Sequence, residues 1–126
     1  MSTIIASNIS DGTTSVASTY VVNGSAKAWV NFNGTGTVAI RRALNVSSLT
    51  DNGTGDYTVN FTAAMSDANY AQLVTAGRLN DRNNIFTLGT QATYAGNKTT
   101  TFCRIITQSS TISLTDMDMV DCAIFR

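Results

Sequence analysis

Residues 44 to 62 read Leu44-Asn45-Val46-Ser47-Ser48-Leu49-Thr50-Asp51-Asn52-Gly53-Thr54-Gly55-Asp56-Tyr57-Thr58-Val59-Asn60-Phe61-Thr62. In the second half Tyr57, Val59 and Phe61 alternate with Thr58, Asn60 and Thr62. Successive side chains of a strand point to opposite faces, so this alternation predicts one face in a core and one in water. The Asp51-Asn52-Gly53-Thr54-Gly55 segment lies between two such runs. Asparagine and glycine tolerate the positive backbone φ of a tight turn, so the stretch predicts a β-hairpin.

The same period extends outward. Upstream, Ala26, Ala28, Val30 and Phe32 alternate with Lys27, Trp29 and Asn31, and the turn Asn33-Gly34-Thr35-Gly36 precedes an extended run from Val38 to Arg42. Downstream, Tyr70 to Thr75, Asn84 to Gly89, Thr99 to Thr107 and Val120 to Phe125 read as further strands. Gly77 to Asn83, Ala95 to Lys98 and Gln108 to Ser110 read as loops, while Ala63 to Asp67 is open between a helical turn and a loop. About seven to nine short strands at this spacing predict an all-β fold, an antiparallel β-sandwich or jelly-roll-like domain over residues 26–126. Residues 1–25 are small and polar with brief apolar touches at Ile4, Ile5, Ile9, Val16 and Tyr20-Val21-Val22. They show no helical stripe and predict an extended arm, or strands completed by a neighbour.

Composition agrees with this reading. The 126 residues are 43% hydrophobic but only 13% charged, with no Glu, His or Pro. Usual occupants of exposed helix positions are scarce, while Thr, Val, Ile, Phe and Tyr suit pleated strands. The formal net charge is zero, and Lys27 and Lys98 stand far apart without a basic run. Nucleic-acid binding draws on a clustered positive field, so no nucleic-acid partner is expected. Weak self-repulsion favours close packing of identical chains. No apolar stretch approaches a membrane span and no charged-then-apolar leader opens the chain, which predicts a soluble protein without membrane insertion or a signal peptide.

Reactive constellations are sparse. Without histidine, a Ser-His-Asp or Cys-His arrangement cannot form. Asp116, Asp118 and Asp121 lie close in sequence. A carboxylate pair could hydrolyse a glycosidic bond, and grouped oxygens could hold calcium. The cluster lacks the glycine and the terminal bidentate carboxylate of a helix–loop–helix calcium loop, and a solvated approach to the last strand is the preferred reading. No catalytic residue, cofactor or metal is assigned. Gly34-Thr35-Gly36 and Asn52 to Gly55 are not followed by Lys and a helix, so they read as turns and not phosphate loops. Cys103 and Cys122 sit in the apolar runs Thr101 to Ile106 and Val120 to Phe125 and read as buried free thiols. A disulfide remains geometrically possible if those runs pair antiparallel with the cysteines opposite each other. Trp29, on the polar side of its strand, has three settings open to it: a second core face, a subunit interface or a sugar-stacking shelf. Interfaces are enriched in Trp, so it is the subunit-interface candidate.

The run Val22-Asn23-Gly24-Ser25-Ala26-Lys27-Ala28-Trp29-Val30-Asn31-Phe32-Asn33-Gly34-Thr35-Gly36-Thr37, followed by Leu44 to Asp67, resembles a module of tail-fibre and related virion proteins. These come from tailed bacteriophages, notably those of cyanobacteria and marine bacteria. The opening Met1-Ser2-Thr3-Ile4 is also similar, and the resemblance spans about residues 1 to 75. It implies a virion structural protein, commonly a homotrimer, that attaches to other phage virion proteins through its N-terminal part; residues 1–25 would be the anchoring arm. It carries no catalytic residue onto this chain. The leading expectation is a tail-fibre or tail-tip component meeting a host surface glycan or protein. Receptor-binding candidates are the loop residues Arg78, Asn80, Asp81, Arg82, Asn83, Tyr94, Asn97 and Lys98. A capsid decoration protein that cements the head is the second expectation, and an Asp-based polysaccharide-degrading enzyme a third.

Overall fold

The computed structural model describes residues 1–78, 87–88, 97–109 and 113–126. Its elements are β1 (Asn8–Ser10), β2 (Ser15–Ala17), α1 (Ser18–Gly24), β3 (Ala26–Asn33), β4 (Ala39–Leu44), β5 (Val46–Gly53), β6 (Asp56–Phe61), β7 (Ala71–Gly77), β8 (Thr87–Leu88), β9 (Phe102–Thr107) and β10 (Met119–Phe125). Strands β3 to β10 form two four-stranded antiparallel sheets, ordered β4-β3-β10-β7 and β5-β6-β9-β8. The all-β expectation holds as a sandwich of two such sheets. β10 lies between β3 and β7 in the first, and β9 between β6 and β8 in the second.

The alternation read from the sequence decides what lies between the sheets. Ala28, Val30 and Phe32 of β3 and Val120, Cys122 and Ile124 of β10 turn inward from the first sheet. Tyr57, Val59 and Phe61 of β6 and Cys103 and Ile105 of β9 meet them from the second. Phe32 and Tyr57 pack edge to face across the layers with ring centroids 5.1 Å apart, and Phe61 meets Tyr70 in the same way at 5.9 Å. Edge-to-face contact sets the positive rim of one ring against the negative face of the other, adding about 0.5–1.5 kcal/mol beyond the burial. Both cysteines are free and buried. They project from facing sheets, so the antiparallel pairing of their runs that would have allowed a disulfide does not occur. A hydrogen bond with Cys122, together with burial, holds the Cys103 thiol far above the ordinary thiol range.

One residue carries the chain from the first sheet to the second. Asn45 separates β4 from β5 and has φ +52°, in the left-handed region that asparagine visits more readily than other side chains. Its Nδ2 donates to the carbonyls of Lys27 at 3.1 Å and Ala63 at 3.2 Å. Its Oδ1 accepts from the Ala63 amide at 2.7 Å. The corner therefore binds the start of β3 to the segment leaving β6, which forms neither a helix nor a strand.

Two expectations shift. Residues 18–24, read as extended, form the short helix α1, in which no residue is buried. It carries no amphipathic stripe because it packs no face against the sandwich, which is why periodicity gave no sign of it. The strand expected to begin at Thr99 begins at Phe102. The Thr99 hydroxyl accepts hydrogen bonds from the amides of Thr101 and Phe102 at 3.2 and 3.0 Å, bending the chain ahead of the strand. Most of the strand expected over Asn84 to Gly89 lies outside the described residues, apart from β8.

Replacing Asn45 with Ala removes both the tolerated backbone conformation and three side-chain hydrogen bonds. The expected loss is about 2–3 kcal/mol in denaturant unfolding. Asn45→Gly, which restores only the backbone, should recover part of it; equal losses in the two variants would show that the conformation contributes nothing.

Candidate interaction surface

The two outer faces of the sandwich differ in chemistry. On the second sheet the pairings Ser48↔Asn60 and Thr50↔Thr58↔Arg104 set polar residues side by side. Asn60 Nδ2 donates to Ser48 Oγ and Thr50 Oγ1, both at 3.1 Å. Asn52 Nδ2 donates to Thr58 Oγ1 at 2.9 Å. Arg104 grips Asp56 through two nitrogens, with Nε 2.7 Å from Oδ1 and an ion pair to Oδ2. That grip holds the Asp56 carboxyl below its ordinary value of 3.8. These side chains form a hydrogen-bonded polar patch on that face, beside Phe102 and Ile106 of the same rows.

The first sheet is different. Its register places Leu44, Trp29, Ala123 and Leu73 in one row across all four strands, and Arg42, Asn31, Asp121 and Thr75 in the next. Both rows face outward, since Val30 and Cys122 between them face the core. Leu44 and Leu73 are 50% and 55% exposed, well above what an ordinary edge position of a core requires. Trp29 and Ala123 are half-buried, and an open groove of about 260 Å³ runs along Trp29, Leu73 and Ala123. Of the three settings open to Trp29, the second core face is therefore removed. It belongs to a solvent-facing apolar row.

A second apolar surface lies on residues 1–24. β1 pairs with β2, and α1 follows directly. Ile4, Ile5, Tyr20 and Val22 are 93%, 94%, 73% and 62% exposed, and no residue before Ala28 is buried. The Lys27 ammonium, donating to the carbonyls of Val22 and Ser25, ties this segment to the start of β3.

The receptor candidates do not form a single patch. Arg78 follows the last residue of β7 and is exposed, with Nη2 3.4 Å from the Asp116 carbonyl. Lys98 lies at the other end of the same strand: its ammonium donates to the Tyr70 carbonyl at 2.6 Å and sits 4.9 Å from the Tyr70 ring centroid. Seven residues of strand separate the two ends by about 20 Å. Asn97, half-buried beside Lys98, accepts the Arg104 amide on its carbonyl at 2.7 Å. Asn80, Asp81, Arg82, Asn83 and Tyr94 lie outside the described residues. β3 begins at Ala26 beside Phe125, which also pairs with Ala71 at the start of β7. The arm thus joins the sandwich at the Lys98 end, and Arg78 marks the opposite end.

Asp116, Asp118 and Asp121 are expected from the sequence to be a solvated approach to the last strand; Asp116 and Asp118 are half-buried, and the three serve separate structural tasks. Asp116 Oδ1 accepts from the Gly55 amide at 2.7 Å and lies 2.8 Å from the Tyr57 hydroxyl. The Asp118 carbonyl accepts from Arg41 Nη2 at 2.5 Å. Asp121 Oδ1 accepts from Asn31 at 2.7 Å on the outer face. Burial, followed by the bond to Asp116, raises the Tyr57 hydroxyl well above its ordinary range. Among the described residues no three His, Cys, Asp or Glu side chains are grouped to hold a metal ion, and no helix is long and apolar enough to cross a membrane. The row around Trp29 needed the strand register, which alternation alone does not supply; a Trp on an otherwise polar strand face was the signal available. No family model, curated protein or solved structure matches this chain.

Acid should unlock the polar sheet. A carboxylate whose folded pKa is lowered adds stability above its unfolded pKa and loses it as pH falls through the folded value. Asp56→Asn should therefore be less stable than wild type at neutral pH, and the gap should close as pH drops below about 4. Thermal melts across that range check this; a gap independent of pH would show that the Arg104–Asp56 grip does not distinguish the two protonation states.

Proposed function

We propose that this chain is a structural protein of a tailed-phage virion, a homotrimeric tail-fibre or tail-tip component used in host attachment. The observation that carries this reading is the pair of exposed apolar surfaces on an otherwise well-packed sandwich. Exposed apolar residues in a contiguous row gain free energy by contact with another protein surface, at about 25 cal/mol for each Å² covered. The two surfaces suit an assembly part whose work is holding chains together.

The ends of the sandwich support an orientation. Residues 1–25 serve as the anchoring arm at one end, and the end marked by Arg78 faces the host. Arg78 then belongs to the distal contact set. Lys98, occupied with Tyr70, and Asn97 beside it belong to the arm-proximal end and serve the scaffold. Weak contacts to a surface glycan or protein, repeated over the copies of a particle, multiply into firm attachment.

A decoration protein of the phage head is the second reading, favoured by the exposed Ile4, Ile5, Tyr20 and Val22, which could lie along a shell surface. An Asp-based glycosidase finds less support, because Asp116 is bound to Tyr57 and Gly55 as a fastening of the fold. Cryo-EM of purified particles carrying a labelled copy of the protein separates these readings. Density on the tail is the expected result, density on the head selects the decoration reading, and particles without the protein overturn both.

A further inference from the structure

We propose that the outer face of the β4-β3-β10-β7 sheet is the surface by which copies of this chain bind one another, the Leu44–Arg42 edge of one copy seating on the Leu73–Asp121 side of the next. The inference rests on the homo-oligomeric reading above and names its contact.

Height along the strands fixes which residues can meet between two copies. Leu44 and Leu73 end the same cross-strand row, and Arg42 and Asp121 share the adjacent one. Rotation about an axis parallel to the strands preserves that height. A second copy so related brings its Leu73 to the level of Leu44, and its Asp121 to the level of Arg42. Apolar meets apolar and cation meets carboxylate in one motion. The contact is heterologous, the two patches being different, and such contacts close into rings when the rotation divides the circle. A threefold axis satisfies this and turns the row containing Trp29 inward.

The charges support the pairing independently of the apolar row. Arg42 is exposed and has no hydrogen-bond or ion-pair partner among the described residues. Asp121 is exposed and engages Asn31 through Oδ1 alone. β4 and Asp121's strand β10 are separated by β3, and the salt bridges formed among the described residues, Arg104–Asp56 and Arg126–Asp67, do not join Arg42 to Asp121. Each is left to a partner of opposite sign. The outer face of the other sheet differs: its Arg104 and Asp56 are already paired with each other.

The test is a charge exchange read by sedimentation velocity on the full chain. Wild type is expected to sediment as a trimer. Arg42→Asp and Asp121→Arg should each weaken assembly by at least about tenfold, through like charges set together. The double variant carrying both changes should restore the trimer. Leu73→Lys provides a second route to the same disruption, and far-ultraviolet circular dichroism of every variant confirms that the sandwich is folded. A trimer that survives all three single changes overturns this face as the contact and leaves the oligomeric reading intact. A wild-type chain that is monomeric at every concentration overturns both, while its placement on the virion is decided separately by particle imaging.

Discussion

The Tyr57 side chain joins the parts of this molecule that the rest is built around. Its ring stands against Phe32 and so closes one sheet on the other. Its hydroxyl lies 2.9 Å from the Gly34 carbonyl and 2.8 Å from Asp116 Oδ1, joining the turn after β3 and the approach to β10. A buried hydroxyl without partners would cost several kcal/mol, so the acceptors around it are fixed by the same burial that fixes the ring. Gly34 has to be glycine for this to work, since a Cβ there would stand 2.5 Å from the Tyr57 oxygen. Gly55 meets the same demand: it has φ +65°, and a Cβ would stand 2.5 Å from the Thr107 carbonyl. One end of the sandwich is thereby closed by a tyrosine, an aspartate and two glycines in mutual contact, while Asn45 turns the chain between its sheets.

A scaffold fixed in this way can present its surfaces at defined positions. On the outer face of the second sheet the polar side chains pair with one another, while the first sheet and the arm leave large apolar side chains exposed. The two outer faces therefore differ in chemistry: one carries hydrogen-bonded polar side chains, the other an exposed apolar row. The arm and Arg78 lie at opposite ends of the sandwich.

Much of the fold was legible in the sequence. Residues 56–62 and 26–32 announced their buried faces through strict alternation, and the structure buries Tyr57, Val59, Phe61, Ala28, Val30 and Phe32 as that alternation requires. The Asn-Gly turn marked the β5–β6 hairpin for the same physical reason that glycine occupies it. Strand order was not legible, because β10 reaches β3 from the far end of the chain and local patterning carries no record of long-range pairing. The α1 helix was hidden because Tyr20, Val21 and Val22 are poor helix markers and bury no face. Trp29 could be marked as an interface candidate from its polar neighbours. Its apolar companions Leu44, Ala123 and Leu73 come from three other strands and became visible only through register. Lys98 resembled a free loop cation in sequence, and only the fold shows it held by Tyr70.

The central claim is that the Trp29 face is covered by another copy of the chain. Trp29 is the protein's single tryptophan, so its fluorescence reports on that face alone. Acrylamide quenching followed over a dilution series should show a shielded indole at high concentration and a rising quenching constant as the assembly dissociates. A quenching constant that stays high and unchanged from dilute to concentrated protein would contradict the account.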